Sequence, residues 1–226
     1  MTEPDGAADA RLAAARAALP FVEAGTIIGV GTGRAAAAFV EMLADSPVRP
    51  RAAVASSSVT AARLREVGIG VVDLPDDGRL PLYVDGADQA DRELRLLKGR
   101  GGALAREKVL ASAAALFVCI VEQEKAVTRL TGPVPVEVLP MAASYVMRAL
   151  GALGATCTAR AGFVTDNGNV IVDADGLDLS DPLCLEGELA AIAGVVECGI
   201  FARRPTDVLF VGSPDGSVRE LRRPGE

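Results

Sequence analysis

The chain has 226 residues, of which half are apolar and 23% charged, a composition typical of a globular protein with one large core, or one main domain and a small one. Its formal net charge of −7 argues against nucleic acid or an anionic membrane as the principal partner, whereas small anionic substrates are compatible with it. The absence of histidine excludes Ser-His-Asp and Cys-His catalysis and any histidine-ligated metal. Carboxylates and lysines are therefore the expected carriers of any proton chemistry.

The N-terminal residues and the cysteines indicate a reducing cytoplasm. Residues 1–12 lack the basic region and apolar core of a signal peptide, and no apolar run has the length of a membrane span. The cysteines fit neither a CxxC metal pattern nor a dense disulfide framework. We therefore expect structural thiols, and neither a metal nor a cofactor. These thiols are Cys119, Cys157, Cys184 and Cys198.

Short apolar runs alternate with helical patterns over the first 130 residues. An alanine-rich helix is predicted over 9–19, followed by strands over 26–30, 52–55, 69–74, 82–84 and 116–121. The connecting helices are predicted over 35–43, from the serines at 56–58 to residue 67, and over 103–115. This alternation predicts an α/β fold with a doubly wound, mostly parallel, Rossmann-like sheet.

The pattern changes at Pro133. The predicted order is a strand over 134–139, a helix over 141–153, a strand over 156–160, a strand pair within 163–173 that turns at 166–169, a helix over 183–192 and a strand over 195–201. This order approximates βαββαβ, which predicts a smaller, inserted, ferredoxin-like α+β domain. A strand over 207–212 then returns to the first sheet. We therefore predict a catalytic domain of residues 1–132 and 205–226, and a small domain of residues 133–204.

The stretch from Leu82 to Lys108 carries the strongest candidate site. Asp85 and Asp88 follow an apolar strand, Lys98 opens a glycine-rich turn, and Glu107 lies in the first turns of the next helix. Ligands of open α/β sheets bind at the carboxyl ends of strands, and a glycine loop before a helix suits an anion. The alternatives are a common Asp-Gly turn, a solvated charged loop, and a helix-surface glutamate in ordinary i,i+4 pairs.

Two other strand ends carry weaker signals. The turn Gly31–Arg34 joins a strand to a helix N-terminus, an arrangement suited to phosphate, although glycines there also serve a tight turn for purely structural reasons. The serines Ser56, Ser57 and Ser58 follow the next strand, where they are either helix N-caps or hydroxyl ligands.

Seven sequence blocks, in this order and spacing, carry a resemblance. They are GVGTG (29–33), SSS (56–58), YVDGAD (83–88), KGRGGALAREK (98–108), PVEVLPMA (135–142), VTDNGNVIVD (164–173) and GSPDG (212–216). With these blocks the sequence resembles the A-type ribose-5-phosphate isomerases over essentially the whole chain. The resemblance implies interconversion of an aldose and a ketose phosphate through an enediol(ate) without a metal, and a homodimer or homotetramer.

The resemblance also implies roles for individual residues. Glu107 matches the catalytic base, and Lys98 with the backbone of Gly99, Gly101 and Gly102 would stabilise the enediolate. Asp85 and Asp88 match the pair that opens the sugar ring and recognises hydroxyls. The implied phosphate ligands are Thr32, Gly33, Lys125 and Arg11, with Ser56–Ser58 along the same edge. Arg11 is equally compatible with a solvated helix arginine.

The chain departs from the family pattern at the phosphate turn. The usual Gly-Thr-Gly-Ser-Thr becomes Gly-Thr-Gly-Arg34-Ala35, which replaces two hydroxyl residues. Arg34 either grips the phosphate with its guanidinium, blocks the pocket or selects another anion. Arg100 is a large side chain near the expected reaction site.

Three hypotheses follow from these observations. The first is a ribose-5-phosphate isomerase with Glu107 as the base, and the second is a paralogue that acts on a modified pentose phosphate. The third is a non-catalytic sugar-phosphate-binding regulator, which would have no need for the base. Exchange of substrate hydrogen with solvent separates the third from the other two, and chelators are expected to have no effect on an activity without a metal.

Overall fold

The computed structural model describes residues 6–223. The helices in this range are α1 (Ala7–Ala18), α2 (Arg34–Ala44), α3 (Ser58–Glu66), α4 (Leu104–Ala113), α5 (Ala143–Ala152) and α6 (Pro182–Ala190). The strands are β1 (Ile27–Val30), β2 (Ala52–Ala55), β3 (Leu80–Asp85), β4 (Gln89–Ala90), β5 (Leu96–Leu97), β6 (Ala114–Glu122), β7 (Val134–Val138), β8 (Thr156–Ala159), β9 (Val170–Asp175), β10 (Val195–Cys198), β11 (Ile200–Phe201), β12 (Val208–Gly212) and β13 (Val218–Arg222). Within the described range, none of the helices has the length and apolar character needed to cross a membrane.

The chain folds into two compact units. The first contains the described parts of residues 1–87 and 206–226 together with 109–126, and the second contains 88–108 and 127–205. The domain division predicted from the sequence, with bounds at 133 and 204, remains a prediction.

A six-stranded sheet forms the centre of the first unit, with the order β13-β12-β6-β3-β1-β2. All neighbouring strands are parallel except β12 and β13, which pair antiparallel. Ile28, Val30 and Val84 in the central strands are fully buried, and they share a core with Phe39 and Leu43 of α2. Such near-continuous apolar strands are typical of parallel sheets covered by helices. The predicted mostly parallel α/β sheet is therefore confirmed.

The second unit contains a four-stranded antiparallel sheet with the order β10-β7-β9-β8. Its elements follow one another as β7-α5-β8-β9-α6-β10, which is the predicted βαββαβ order. The apolar faces of α5 and α6 provide Val146, Leu150 and Leu189 to the core beneath this sheet, all fully buried. The expectation of a smaller α+β fold is confirmed.

A small three-stranded sheet, β11-β5-β4, completes the second unit and was not predicted. The predicted single strand over 195–201 is wrong, because the chain passes from one sheet to the other at Gly199. The Gly199 N–H donates to the Pro135 carbonyl at 2.8 Å, and its carbonyl accepts from the Lys98 N–H at 2.8 Å. A Cβ on Gly199 would lie 2.1 Å from the Lys98 carbonyl oxygen, so this close crossing requires glycine.

Two other predicted strands differ from the structure. Residues 69–74 form only one isolated parallel bridge, between Val71 and Ala53, because the chain turns away at Pro75, whose carbonyl accepts from the Gly78 N–H. Residues 163–165 are not a strand: β9 pairs instead with β8, and a turn closed by a hydrogen bond from the Thr165 N–H to the Asn169 carbonyl precedes β9. Strand β13 was also not predicted.

Candidate active site

Lys98 and Glu107 form a buried ion pair in the second unit. Lys98 directly follows β5, and Glu107 lies in the first turn of α4. The distance from Lys98 Nζ to Glu107 Oε2 is 3.1 Å, and the two residues are 3% and 4% exposed. At such burial, electrostatic interactions are stronger than in water. The structure thus brings together the predicted base and the predicted electrostatic stabiliser.

The glycine-rich turn between them has a conformation that larger residues rarely adopt. Gly99 and Gly102 have φ angles of 108° and 74°, and the Gly102 N–H donates to the Gly99 carbonyl at 3.0 Å. A Cβ would lie 2.7 Å from Leu104 at Gly99 and 2.3 Å from Phe163 at Gly102. Glycine is therefore required at both positions by conformation and by space, and the turn leads directly into α4.

Asp88 lies against this turn. Its Oδ2 accepts from the Arg100 N–H at 3.0 Å, and its Oδ1 lies 3.7 Å from Arg100 Nε. The Arg100 side chain is 79% exposed, so it extends toward solvent. Asp88, Arg100, Gly101 and Phe163 are among the residues that line a cavity of about 570 Å³ within the second unit. Asp88 is consequently accessible to a small polar ligand.

Asp85, in the first unit, is fully buried at the end of β3. Its Oδ1 accepts from the N–H groups of Gly86 at 2.7 Å and Thr32 at 3.1 Å, and the Tyr83 hydroxyl donates to its Oδ2. A Cβ on Gly31 would lie 1.8 Å from the Asp85 carboxyl carbon. Asp85, at the end of the neighbouring strand β3, therefore fixes the turn that follows β1.

The predicted hydroxyl residues form a cluster at the ends of β1 and β2. Thr32 Oγ1 lies 2.6 Å from Ser56 Oγ and donates to Ser57 Oγ at 2.8 Å. Ser57 caps α3 by accepting from the Thr60 N–H, and the Thr60 hydroxyl donates to the Gly31 carbonyl at 2.8 Å. Ser58 is exposed at the first position of α3. Ser57 therefore caps helix α3, and Ser56 and Ser57 form a hydroxyl cluster with Thr32.

Helix α2 begins at Arg34, directly after the same turn. Gly33 is the N-cap residue, with a φ of 102°, and no side-chain hydrogen bond caps this helix. Gly33 and Arg34 are exposed, whereas Ala35 is 4% exposed and packs in the core. The N–H groups and the positive dipole end of a helix N-terminus attract anions, and an exposed arginine adds charge at this end.

Arg11 and Lys125 meet around one buried carboxylate. Arg11 Nε donates to Glu122 Oε1 at 2.7 Å, and Lys125 Nζ lies 2.7 Å from Glu122 Oε2. Burial acts to raise the pKa of Glu122, but the hydrogen bond and charge of Lys125 and the hydrogen bond from Arg11 outweigh it, so the pKa is lowered. Two cations around one carboxylate leave one net positive charge, as an anion site requires.

Sequence reasoning missed three residues that organise these groups: Tyr83, Thr60 and Glu122. Thr60 has a recognisable signal, because it lies three residues after the Ser57 cap. Glu122 directly follows a predicted strand, but its importance comes from its hydrogen bond with Arg11, 111 residues earlier in the chain. No local pattern reveals such a pair. The roles assigned to the predicted site residues remain predictions, although the structure gives each group a defined arrangement.

The fold and these groups define a two-unit α/β protein with a buried lysine–glutamate pair, and with cations and hydroxyls at the ends of parallel strands. The model of the family ribose 5-phosphate isomerase A (phosphoriboisomerase A) matches residues 52–216. The chain belongs to the ribose 5-phosphate isomerase A family, which confirms the resemblance seen in the sequence.

Relatives of known name and structure cover almost the whole chain. The ribose-5-phosphate isomerase A of Acidithiobacillus ferrooxidans is 48% identical over 206 residues, which are 91% of this chain and 94% of that protein. The crystal structure of ribose 5 phosphate isomerase A from Neisseria gonorrhoeae superposes with a TM-score of 0.93 at 39% identity, and covers 97% of this chain and 98% of the other. A D-ribose-5-phosphate isomerase in complex with phospho-erythronic acid has a TM-score of 0.89 at 35% identity, with 95% and 98% coverage.

Proposed function

We propose that this chain interconverts D-ribose 5-phosphate and D-ribulose 5-phosphate through an enediol(ate) intermediate, as a step of pentose phosphate metabolism. The observation that carries the proposal is the buried Lys98–Glu107 pair in a chain of this family. A carboxylate that exchanges protons and an ammonium that stabilises negative charge are the two groups that this chemistry needs.

Glu107 is the base of the proposed reaction. Its carboxylate removes the proton from C2 of the open-chain aldose, and the electron pair of the C–H bond forms the C1–C2 double bond while the C1 oxygen becomes negative. The proton of the C2 hydroxyl then passes to the negative C1 oxygen. As the C2–oxygen double bond forms, the carboxyl group of Glu107 returns its proton to C1, which gives the ketose and regenerates the carboxylate, so no oxidant or reductant is consumed. Lys98 stabilises the negative oxygen, and burial of the pair limits competition from water.

The two aspartates have different roles in this proposal. Asp88 lines the cavity beside the glycine turn, which suits contact with sugar hydroxyls and with the ring oxygen during opening. Asp85 already accepts three hydrogen bonds from Tyr83, Gly86 and Thr32. Asp85 therefore acts mainly by fixing the turn that precedes α2.

The phosphate is bound in this proposal by groups of the first unit. Thr32, Gly33 and Arg34 provide a helix N-terminus with an added positive charge, and Ser56–Ser58 provide hydroxyls. Arg11 and Lys125 provide the charges that surround Glu122. A dianionic phosphate is favoured by this combination of cations, hydroxyls and backbone N–H groups.

The proposed setting is the cytoplasm, and the proposed assembly is a homodimer or homotetramer. The domain division into 1–132 with 205–226, and 133–204, belongs to the same proposal. No cofactor takes part in the proposed reaction.

The test is a coupled assay of ribulose 5-phosphate formation from ribose 5-phosphate, with Glu107→Gln beside the wild type. We expect Glu107→Gln to fold and to lose at least about a hundredfold in kcat, the usual scale for a general base. Glu66→Gln, an exposed helix glutamate, is the matched control and keeps wild-type kcat. Near-wild-type turnover of Glu107→Gln would remove this residue from the mechanism, and a folded but inactive wild type would favour a modified pentose phosphate.

A further inference from the structure

The two members of the buried pair come from separate segments, yet both are attached to strand β11. Lys98 follows β5, which pairs antiparallel with β11 through Leu97 and Ile200 and through Leu96 and Phe201. The Lys98 N–H also donates to the carbonyl of Gly199, immediately before β11. Strand β11 therefore fixes the backbone from which the Lys98 side chain extends.

Helix α4 is attached to the same strand by Lys108, the residue after Glu107. Lys108 Nζ donates to the carbonyl of Ile200 at 2.7 Å, to Glu186 Oε1 at 2.8 Å and to Glu197 Oε1 at 2.7 Å. These contacts satisfy the three donors of an ammonium. The second oxygen of Glu186 accepts from the N–H groups of Ala202 and Arg203, just beyond β11, at 2.9 and 2.7 Å.

Lys108 is buried and charged. Burial acts to lower the pKa of Lys108, but electrostatic interactions with Cys198, Glu186 and Glu197 and the hydrogen bond to Glu186 outweigh it and raise the pKa above its ordinary value. The side chain of Lys108 leaves the helix about 100° away from that of Glu107. Lys108 therefore holds the helix without competing for the position of the base.

The ring of Phe201, in β11, lies close to both ammonium groups. Lys98 Nζ is 5.6 Å and Lys108 Nζ 4.8 Å from the ring centroid, and the ring is fully buried. Cation–π attraction and close packing thus hold both ammonium groups near one aromatic side chain.

We propose that Lys108 and Phe201 are positioning residues for the isomerase reaction, because they lock the segment of Lys98 and the helix of Glu107 to one strand. This inference rests on the proposed function. It assigns a role to residues that have no predicted contact with the substrate. A shift of only about 1 Å between reacting groups can cost a hundredfold in rate.

The test is Lys108→Met, which keeps an unbranched apolar chain and removes the ammonium. We expect kcat for ribose 5-phosphate to fall at least about tenfold while KM changes less than about twofold, because the pair is displaced and the phosphate ligands are not. In a Lys98→Met background the additional loss from Lys108→Met should be clearly smaller, since one member of the pair is then absent. An unchanged kcat, or an equal loss in both backgrounds, overturns the proposal.

The control is Arg95→Met, which removes another ion pair of the second unit, that of Arg95 with the buried Asp91 at 2.7 Å, and should leave kcat unchanged. If Lys108→Met does not fold, Phe201→Leu replaces it, with an expected loss of about threefold to tenfold in kcat from the missing cation–π contacts. Wild-type kcat in folded Phe201→Leu would overturn the proposal. If the wild type itself has no activity, the proposed function is refuted. The wild type is therefore assayed before any variant is compared.

Discussion

The functional groups of the two units rest on different kinds of support. In the first unit, Thr32, Ser56 and Asp85 lie at or just beyond the ends of β1, β2 and β3, neighbouring strands of a regular parallel sheet. In the second unit, the Lys98–Glu107 pair depends on strands of two residues and on a buried lysine with three acceptors. The first arrangement follows from sheet register, and the second follows from individual close contacts.

This difference predicts how each region responds to mutation. A substitution at a strand end removes one ligand or one hydrogen bond, while the register of the sheet persists. In the second unit one added methyl group can separate β11 from β5, because the backbones cross without room for a Cβ. We therefore expect Gly199→Ala to displace the Lys98–Glu107 pair itself, whereas removal of one functional side chain at a strand end of the first unit should leave the other groups in place.

Gly199→Ala should have the largest effect on the free energy of unfolding. Its Cβ would lie 2.1 Å from the Lys98 carbonyl oxygen and 3.0 Å from Pro135 Cδ, so the backbone of Lys98 must move. We expect the free energy of unfolding to fall by about 3 kcal/mol, at the upper end for overpacking, and kcat to fall at least about tenfold. Denaturant unfolding and the isomerase assay measure the two effects.

Gly151→Ala is the matched control for that substitution. Gly151 lies in α5 of the same unit, and a Cβ there would meet nothing within 4 Å. Alanine should stabilise the helix by about 0.5–1 kcal/mol and leave kcat unchanged. Equal behaviour of the two variants would show that the crossing at Gly199 does not control the pair.

Glu122→Gln tests the first unit through its pH dependence. The pKa of Glu122 is lowered from its ordinary value of 4.5, so the ionised carboxylate stabilises the fold above that pH, and this contribution is lost as the pH falls through the lower, folded-state pKa. We expect the variant to be less stable than the wild type by about 1–3 kcal/mol at pH 7. The difference should narrow on acidification below about pH 4.5, as followed by thermal or denaturant unfolding.

The exposed neighbour Glu124 provides the control for this measurement. Glu124→Gln should change stability by less than about 0.5 kcal/mol at either pH, as is usual for surface substitutions. A difference between Glu122→Gln and wild type that stays constant from pH 7 to pH 3 would contradict the assigned role of the ionised carboxylate.

The same contrast explains what the sequence could predict. Runs such as Ile27–Val30 and Val208–Gly212 are continuous and apolar and are followed by turns. Their alternation with helical patterns along the chain made the parallel sheet recognisable. Strands of two residues, such as β5 and β11, have no period. Lys98 and Glu107 were found only through a motif, and the Lys108 network joins segments about 80–90 residues apart. Secondary-structure propensity reflects residues that are close together in the sequence. These contacts depend instead on tertiary packing between distant segments, so propensity cannot predict them.

Substitution of Arg34 should have the smallest effect, and it tests whether this arginine binds the phosphate, blocks the pocket or selects another anion. Arg34 is exposed at the N-terminus of α2, so its contribution is partly screened by solvent and salt. If it grips the phosphate, Arg34→Ala should raise KM for ribose 5-phosphate about threefold to tenfold, the scale of one exposed charged contact, with kcat within about twofold. Arg34→Ser should recover part of that loss, because a hydroxyl at this position can accept or donate to phosphate, and Arg65→Ala, an exposed arginine in α3, should change neither constant. A KM that falls in Arg34→Ala would mean that the guanidinium obstructs ribose 5-phosphate, and the natural substrate would then be a sugar phosphate whose additional group the arginine recognises.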